Sequence, residues 1–578
     1  MKKLSIWGSL RRLIAYVPRL YAFDALFWGL ISILPALPGL ILKLFFDGLT
    51  GATATGWNTS TLITFLLATG MMRIGVIFAG RVTKTQHRFT ISGLVRRNLL
   101  AGILQRPGAL AMQGAGGSLS SGAVISFFRE DAEQVEDNVA WTNELLGDGL
   151  FALSALGILL FIDIPVTVGA VLPLVLVVLV VERANKALKR YRQASRLATQ
   201  KVTGLVGEMF GAVQAIKVAG AEAHLLGHFE QLSEQRRRAA LRDRLLSSLL
   251  NSVFENLNNI GTGIILLLVA TGSENFSVGD FALFIYYLAY VSGFVLSLGE
   301  FLALSKHTEV SLDRMEKLLP ESGSVLTLLD PQPLYLPDLR DTYPPLPPLD
   351  PLPARISLQR LRAEHLTYVY PGSLNGIRDI SFALERGSLT VVTGDVGSGK
   401  TTVLKTLLGL LPQESGSLLW NEFEIGDPAQ FFVPPQAAYT PQVPRLLSQT
   451  LQENLKLGLP LSDQDLEWVI EQAALQSDLA QMPLGLETQI GSKGVRLSGG
   501  QIQRTAAARM LIRKPELMVF DDLSSALDVE TERRLWEQLL SLRENSQGWI
   551  PTFLVVSHRP FVLNQADQVL RLCQGSLG

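Results

Sequence analysis

The sequence contains a single cysteine, Cys573, which excludes a disulfide framework and a cysteine-based metal site. Charged residues are also scarce: they make up 18% of the chain, against 48% for apolar residues, and the mean hydropathy is +0.27. The formal net charge of −1 lacks the basic excess of a nucleic-acid-binding protein, so no nucleic-acid partner is expected. What remains is an apolar chain of 578 residues, long enough for more than one domain.

The basic N-terminal segment lacks the short apolar core and the small-residue cleavage site of a cleaved leader. It leads instead into an apolar run long enough to span a bilayer, for which a helix needs roughly 20 residues. Five further apolar runs follow before Lys306, and the prolines inside some of them are tolerated in membrane helices. The six predicted spans are Tyr21–Phe46, Leu62–Gly80, Leu145–Phe161, Pro165–Val181, Leu249–Thr271 and Phe281–Leu304.

Lysine and arginine are absent from three connections between these spans, namely Asp47–Ser60, Ile162–Ile164 and Gly272–Asp280. Both residue types are abundant in the connections 81–140 and 182–248 and in the N-terminal tail. Because positively charged loops remain in the cytoplasm, both termini and both long connections are predicted to be cytoplasmic. The sequence therefore predicts an integral multi-pass membrane protein whose C-terminal part faces the cytoplasm.

The two long connections show helical periodicity with mixed charges and no low complexity. They are predicted to be cytoplasmic extensions of the membrane helices, which reverse near Arg106–Ser121 and near Gly204–Val213. Two independent soluble insertions are the alternative. Within the spans, Arg73 and Asp148 fall at similar depth, and charges at such depth are costly unless they are paired or line a polar cavity. An ion pair between these two residues is predicted.

A proline-rich stretch separates the membrane region from the rest of the chain. Ten prolines lie between Pro320 and Pro353, and proline stiffens a chain into an extended form that cannot continue a helix. The predicted domains are therefore a transmembrane domain at 1–319, a linker at 320–355 and a soluble domain at 356–578. A spacer is the favoured role of the linker, and a ligand for an aromatic groove on a partner is the alternative.

The soluble region opens with a phosphate-binding loop. The β-branched run SLTVVTG is followed at once by GDVGSGKT and then by a helical stretch, and this order is the context that such a loop requires. The glycines allow backbone N–H groups to point at phosphates, and Lys400 is predicted to reach the β- and γ-phosphates. The predicted nucleotide ligands in this loop are Gly394, Asp395, Val396, Gly397, Ser398, Gly399, Lys400, Thr401 and Thr402.

Further motifs follow in a fixed order. They are YTPQ (Tyr439–Gln442), LSGGQ followed by IQR (Leu497–Arg504), LMVFD (Leu517–Asp521), SSALD (Ser524–Asp528) and VVSH (Val555–His558). Together with the phosphate-binding loop, this series resembles an ATP-binding cassette. Six predicted membrane helices fused ahead of one cassette resemble a half-transporter of the ABC exporter family. The expected fold is thus a multidomain membrane protein with an all-α six-helix transmembrane domain and an α/β P-loop nucleotide-binding domain.

The resemblance implies roles for particular residues, with ATP and Mg²⁺ as cofactors. Tyr370 would stack on adenine, and Gln442 would lie near Mg²⁺ and the attacking water. His558 would contact the γ-phosphate, and Asp528 would lie at a dimer seam. Thr401, Gln442 and Asp521 are the metal ligands that it implies. Ser498, Gly499, Gly500 and Gln501 would close on the nucleotide of an opposite protomer, so a second half-transporter is an expected partner.

One residue departs from the family pattern. Asp522 follows Asp521 at the position where the family has a catalytic glutamate. Its carboxylate is retracted by one C–C bond, roughly 1.5 Å, and a misplacement of about 1 Å can slow a reaction on the order of 10²-fold. The implied catalytic residues are therefore Asp522, Gln442 and His558, with slow hydrolysis expected.

Two classes of function remain open. The first is ATP-driven export of an amphipathic substrate (a lipid, drug, peptide or metabolite) from a membrane environment, with either a homodimer or a heterodimer as the working unit. The second is a weakly hydrolysing, nucleotide-binding gating subunit of a heterodimer; an importer on the same fold is a further alternative. The expected location is the cytoplasmic (inner) membrane of a bacterium, with the cassette in the cytoplasm.

Overall fold

The computed structural model describes residues 5–51, 56–106, 108, 113–114, 117–118, 121–272, 276–320, 323–336, 344–345, 353–491, 497–544 and 548–578. Within helices and strands, the side chains of 113–114, 117–118, 121, 123, 174–186, 189, 251, 254–255, 257–258 and 272 lie outside this description. The chain divides into two units. The first comprises Met1–Gly102 and Gly114–Leu334, and the second comprises Ile103–Gln113 and Tyr335–Gly578.

Long helices build the first unit, as expected for apolar segments whose backbone groups must be satisfied internally in a bilayer. A proline interrupts the first membrane segment, because Pro35 offers no N–H and separates two helices there. The elements up to Leu328 are α1 (Ile6–Tyr16), α2 (Pro18–Ile33), α3 (Ala36–Thr50), α4 (Thr59–Leu104), β1 (Gln113–Gly114), β2 (Gly117–Ser118), α5 (Ser121–Ser126), a π-helical segment (Phe127–Asp131), α6 (Ala132–Ile162), α7 (Ile164–Gly211), α8 (Val213–Ala219), α9 (Glu222–Glu255), α10 (Leu257–Gly272), α11 (Val278–Glu316) and α12 (Val325–Leu328).

Four helical stretches in the described part of the chain are long and apolar enough to cross a membrane. They are Pro18–Thr50, Thr59–Leu104, Val124–Ile162 and Val278–Glu316. The remaining two predicted spans also lie on helices, one in α7 and one across the junction of α9 and α10, where the shorter apolar stretches are Ile164–Pro173 and Asn259–Thr271. The prediction of a helical transmembrane domain is confirmed.

The membrane helices continue far beyond the predicted spans. The helices α4, α7 and α11 have 46, 48 and 39 residues, about twice the length that a bilayer requires. The predicted reversal near 106–121 lies between α4 and α5, although part of it is outside the described residues. The second reversal comes later than predicted: α7 runs through Gly204 and bends by 76° into α8, and the chain turns back after Gly220, whose φ is 58°.

The predicted ion pair between Arg73 and Asp148 is wrong. Arg73 donates from Nη1 to Tyr290 Oη at 3.3 Å. Asp148 instead accepts hydrogen bonds from the hydroxyls of Ser32, at 2.9 Å, and Ser297, at 3.4 Å. Among the described residues no ion pair joins the two charges. Equal depth defines height in the membrane but not direction around a helix, so it could not establish that the two side chains face each other.

The start of the predicted linker packs against the first unit. Leu328 is fully buried, and the buried amide of Asn98 donates to the backbone carbonyls of Leu328 and Asp330 at 3.1 and 2.9 Å. The Tyr16 hydroxyl donates to the carbonyl of Gln332 at 2.6 Å. These bonds attach the chain as far as residue 332 to the helices, while much of the following proline-rich segment, 337–343 and 346–352, lies outside the described residues.

Two sheets form the core of the second unit. A six-stranded sheet has the order β12-β11-β5-β10-β9-β8, and a four-stranded antiparallel sheet has the order β4-β3-β6-β7. The strands are β3 (Arg360–Val369), β4 (Gly376–Glu385), β5 (Leu389–Gly394), β6 (Ser415–Trp420), β7 (Phe423–Glu424), β8 (Ala437–Thr440), β9 (Leu517–Asp521), β10 (Thr552–Val556), β11 (Gln568–Cys573) and β12 (Ser576–Leu577). The helices are α13 (Lys400–Leu407), α14 (Pro428–Phe431), α15 (Leu451–Lys456), α16 (Asp463–Gln472), α17 (Gln476–Gln481), α18 (Gly499–Leu511), α19 (Val529–Ser541) and α20 (Pro560–Asn564), with a 3₁₀ turn at Gly485–Glu487.

The parallel arrangement of the larger sheet determines where the motifs meet. The strands β11, β5, β10, β9 and β8 are parallel neighbours, so their carboxyl ends lie at one edge. The central strands β9 and β10 are buried along their whole length, as expected for strands covered on both faces. Ligands bind at this edge of open α/β sheets. The confirmed α/β domain thus presents the ends of β5, β8, β9 and β10 together.

Candidate active site

The phosphate-binding loop joins β5 to α13 at that edge. Gly394 ends β5 with a φ of 144°, and a Cβ added there would lie 2.2 Å from the carbonyl oxygen of Leu572. No other residue type could occupy this position without moving the neighbouring strand β11. Val396 is fully exposed at the tip of the loop, whereas Ser398 is buried and its hydroxyl has no hydrogen-bond partner among the described residues.

Lys400 folds back over the loop that precedes it. Its Nζ donates to the carbonyl oxygens of Gly394 and Asp395 at 2.7 and 2.8 Å. The loop therefore concentrates one full positive charge beside backbone groups that suit an anion. It borders a cleft of about 470 Å³, lined by Tyr370, Ser373, Asn375, Gly376, Gly397, Gly399, Lys400, Thr401 and Thr402.

Tyr370 forms one wall of this cleft, just after β3. Its ring packs edge-on against Tyr368, with centroids 5.0 Å apart and an interplanar angle of 80°, and its hydroxyl lies 3.4 Å from Thr402 Oγ1. About 37% of its surface remains exposed. The exposed part of the ring is where a planar base would stack, so stacking on adenine stays a prediction for Tyr370.

Replacing Tyr370 by alanine should weaken ATP binding to a moderate extent. Loss of one stacking partner is worth about 1–3 kcal/mol, so the Kd for ATP should rise by roughly 5- to 150-fold. Calorimetric titration of the full chain measures this change. Tyr370→Phe is the matched control: it removes the hydroxyl near Thr402 but keeps the ring, and an equal loss in that variant would contradict a stacking role.

Asp521 ends β9 and is 3% exposed. The Thr401 hydroxyl donates to its Oδ1 at 3.1 Å, and the Tyr439 hydroxyl donates to its Oδ2 at 3.4 Å. Burial raises the pKa of the Asp521 carboxyl, and the Thr401 hydrogen bond and the charge of Lys405 oppose that rise. Burial also raises the pKa of Tyr439, so its phenol stays protonated as a donor. Thr401 and Asp521, predicted as metal ligands, are thus in direct contact.

Asp522 is the first residue after β9 and adopts a left-handed backbone with a φ of 56°. Aspartate tolerates this region better than most residues, because its short polar side chain bonds locally. Its N–H donates to the carbonyl of Val556 at 3.1 Å, and its Oδ2 accepts from Gln442 Nε2 at 3.4 Å. The structure therefore brings together Asp522 and Gln442, two of the three predicted catalytic residues.

His558, the third predicted catalytic residue, follows β10 and is exposed. Its Nδ1 lies 3.4 Å from Thr393 Oγ1, on the strand that leads into the phosphate-binding loop. The parallel pairing of β5 with β10 accounts for this proximity, since Val392 lies opposite Val556. The imidazole is thereby placed beside the β5 end of the cleft.

The LSGGQ segment lies at a different place on the same unit. The Ser498 hydroxyl caps α18 by accepting from the Gln501 N–H at 3.2 Å, and the Ser498 N–H donates to Gln501 Oε1 at 2.9 Å. A Cβ on Gly500 would lie 3.0 Å from the carbonyl of Ala526, so a side chain there would crowd the adjacent SSALD loop. The residues that line the cleft include none of the four signature residues Ser498, Gly499, Gly500 and Gln501.

Three contacts at the site were not predicted. The Tyr439 and Thr393 hydroxyls approach Asp521 and His558, and Gln503 connects the region of Gln442 with that of Asp522. Tyr439 belongs to YTPQ and Gln503 belongs to the IQR that follows LSGGQ, so motif membership was the available indication. The contacts themselves depend on how the loops pack. Asp528, which was predicted at a dimer seam, caps α19 by accepting from the Thr531 N–H at 2.9 Å.

Comparison with protein families decides the classification. The ABC transporter transmembrane region model matches residues 26–295, and the ABC transporter model matches residues 377–525. The chain belongs to the ABC transporter family. The two matches place a membrane region and an ATP-binding cassette in the order that the sequence predicted, and the cassette is an ABC-type ATPase module.

Individual relatives are similar at moderate identity. The chain is 28% identical over 411 residues to the probable multidrug resistance ABC transporter ATP-binding/permease protein YheI of Bacillus subtilis (strain 168), a match covering 70% of this chain and 65% of that protein. It is 26% identical over 471 residues to the ATP-dependent lipid A-core flippase of Burkholderia thailandensis, covering 78% and 74%. Both relatives combine membrane and ATP-dependent functions in their names, which supports the exporter type of half-transporter.

The fold has a counterpart among solved structures. The structure of a bacterial Atm1-family ABC exporter with ATP bound superimposes with a TM-score of 0.71, covering 98% of this chain and 94% of that chain at 18% identity. At this identity the likeness establishes the fold alone. This ABC half-transporter is therefore an integral membrane protein with an exporter-type fold.

Proposed function

We propose that this ABC half-transporter exports an amphipathic substrate by an ATP-driven cycle, as one half of a dimeric transporter. The observation that carries the proposal is the convergence of the ends of β5, β8, β9 and β10 at one edge, in a chain that also carries the transmembrane helices. A cleft of about 470 Å³ beside Lys400 and Tyr370 suits one nucleotide. In the described part of the cassette, no other group of charged residues is combined with a cleft of this kind and an aromatic wall.

The roles follow from the geometry of the site. ATP would place its base on Tyr370 and its phosphates against the loop 394–402, where Lys400 supplies the charge. Thr401 and Asp521, whose Oγ1 and Oδ1 atoms are 3.1 Å apart, both offer oxygen atoms and would hold a magnesium ion that neutralises charge on the phosphates. Mg²⁺ is usually held in this way, by one or two protein oxygens plus the phosphates of the substrate. Gln442, His558 and Asp522 would orient the attacking water and the γ-phosphate.

A second cassette completes the site in this account. Ser498, Gly499 and Gly500 lie outside the cleft of their own chain, at an α18 N-terminus that is open to solvent except at Gly500. The N-terminus of a helix favours an anion, because its free N–H groups and its dipole both point toward the ligand. The signature of this chain would therefore close on the nucleotide of a partner, which would be either a second copy or a different half-transporter.

The substrate is proposed by class only. The membrane domain that precedes the cassette exposes large apolar side chains along much of its surface, so a substrate that partitions into lipid would be able to reach it. The names of the relatives, a multidrug resistance protein and a lipid A-core flippase, suggest the same class. We place the protein in the cytoplasmic membrane of a bacterium, with the cassette on the cytoplasmic side.

Asp522 favours a second candidate function. A shortened carboxylate at the position of the base is compatible with a gating subunit that binds ATP persistently while a partner carries the faster site. In that case ATP turnover would depend on the addition of a second half-transporter. The same geometry supports both functions, so the two differ only in the rate at this site and in the identity of the partner.

ATP turnover by the full chain in lipid nanodiscs tests the proposal. Turnover should exceed that of Lys400→Ala and should change when lipids, drugs or peptides from a panel are added. Activity that appears only after addition of a second half-transporter would favour the gating function. An export function would be contradicted by turnover that no amphipathic compound alters, with or without a partner, in vesicles that also fail to accumulate those compounds.

A further inference from the structure

Gln503 lies in the second turn of α18, two residues after the signature, and is 3% exposed. Its Nε2 donates to the Ser525 hydroxyl at 2.7 Å and lies 3.3 and 3.5 Å from the backbone carbonyls of Gln442 and Asp522. Its Oε1 accepts from the N–H of Ala526 at 3.2 Å. One buried amide thus contacts two loops, the loop after β8 and the loop after β9, which contains SSALD.

The chemistry of these partners requires an amide. The two carbonyl oxygens can only accept, so the amino end must face them, and the Ala526 N–H can only donate, so the carbonyl end must face it. A glutamate of the same length would place a negative charge against two carbonyl oxygens. A methionine of similar length would leave those groups without their partner.

The contacts of Gln503 fix the backbone of Gln442 and Asp522, two of the proposed catalytic residues. Asp522 has a φ of 56°, and its carbonyl oxygen accepts from the Ser525 N–H at 3.3 Å as well as facing Gln503. The side chains of Gln442 and Asp522 approach each other at 3.4 Å. Because Gln503 faces the carbonyl oxygen of each residue, it influences where both side chains emerge into the site.

We propose that Gln503 is a positioning residue for ATP hydrolysis, which sets Gln442 and Asp522 and links them to the signature helix. The proposal rests on the proposed function, in which the signature at the start of α18 engages the nucleotide of the second cassette. A shift of α18 on engagement would move Gln503, and with it the groups that act on the chain's own nucleotide. Its described hydrogen bonds include no residue of the loop 394–402, so ATP affinity should not depend on it.

The test compares Gln503→Met and Gln503→Glu with wild type in the full chain in nanodiscs. Both variants should lower kcat by at least about tenfold, since small misplacements of reacting groups are costly, with the Kd for MgATP within about twofold. Gln565→Glu, an exposed position on the same unit, controls for the added charge. A kcat within about twofold of wild type, or a Kd that weakens in parallel with kcat, would overturn the proposal.

Two further variants keep the test decisive if Gln503→Met does not fold. Ser525→Ala removes the closest partner from an exposed position and should lower kcat with unchanged Kd. In a Gln503→Glu chain, Asp522→Glu should no longer raise turnover, whereas independent effects would multiply. A wild-type chain that lacks ATP turnover even with a second half-transporter present overturns the proposed function as well. An active chain in which these variants behave like wild type overturns only the role of Gln503.

Discussion

Replacing Lys400 by alanine should abolish tight binding of MgATP to this chain. The ammonium group is the full positive charge of the loop 394–402, where its Nζ lies 2.7 and 2.8 Å from two loop carbonyls. Hydrogen bonds to charged groups contribute about 1.5–3 kcal/mol each, and every 1.4 kcal/mol is about tenfold in affinity. Loss of the contacts to two phosphates should therefore weaken binding at least about 100-fold, as measured by equilibrium titration of the purified chain.

A matched lysine variant separates this effect from a general loss of charge. Lys456→Ala removes an ammonium at the end of α15 in the same unit, away from the cleft, and should leave the Kd unchanged. Thermal unfolding of both variants shows whether the fold is intact. Unchanged ATP affinity in a folded Lys400→Ala chain would mean that the loop does not bind phosphates. The assignment of a nucleotide site to this edge of the sheet would then be wrong.

Replacing Asp522 by glutamate should raise ATP turnover at least about tenfold, equivalent to about 1.4 kcal/mol of barrier. The longer side chain recovers the reach of roughly 1.5 Å that aspartate lacks, while Asp521 and its contact with Thr401 are left in place. A general base must come within roughly 2.6–3.2 Å of the attacking water. A side chain that is shorter by one C–C bond therefore places the carboxylate out of reach. Steady-state hydrolysis by the two chains in nanodiscs gives the ratio.

The left-handed backbone of Asp522 complicates a simple comparison, because glutamate suits a φ of 56° less well than aspartate does. Asp522→Asn is the appropriate control, since asparagine tolerates the same backbone but cannot act as a base. If Asp522 contributes little chemistry, the Asn variant should retain most of the wild-type turnover. Thermal unfolding reports any destabilisation caused by the glutamate.

Much of the site could be predicted because each motif follows a strand of the same parallel sheet. Gly394, Asp521 and His558 come after β-branched or apolar runs that can only be buried strands, and parallel strands end at one edge. Their proximity therefore follows from the topology, without any detail of side-chain packing. The cytoplasmic extension of α4 and α7 was predictable for a similar reason, since periodic, charged sequence continues directly from apolar spans.

Features that depend on the direction in which a side chain leaves its helix, or on how loops pack, could not be predicted. Gly204 lies within α7 rather than at its end, because a glycine in a long helix costs only about 1 kcal/mol and the sequence does not show where that cost is tolerated. The separate partners of Arg73 and Asp148 depend on directions around two helices. The contacts of Gln503 depend on two loops meeting at α18, which no local pattern encodes.

A single-turnover measurement tests the central claim, that ATP at this chain's own site is bound firmly and hydrolysed slowly because Asp522 falls short of the attacking water. One equivalent of labelled ATP is trapped on the full chain with Mg²⁺, and the appearance of ADP is followed over time. The account predicts slow decay in wild type and decay at least about tenfold faster in Asp522→Glu. Wild-type decay as fast as that of Asp522→Glu, with no decay in Asp522→Asn, would show that Asp522 is a competent base and would contradict the account.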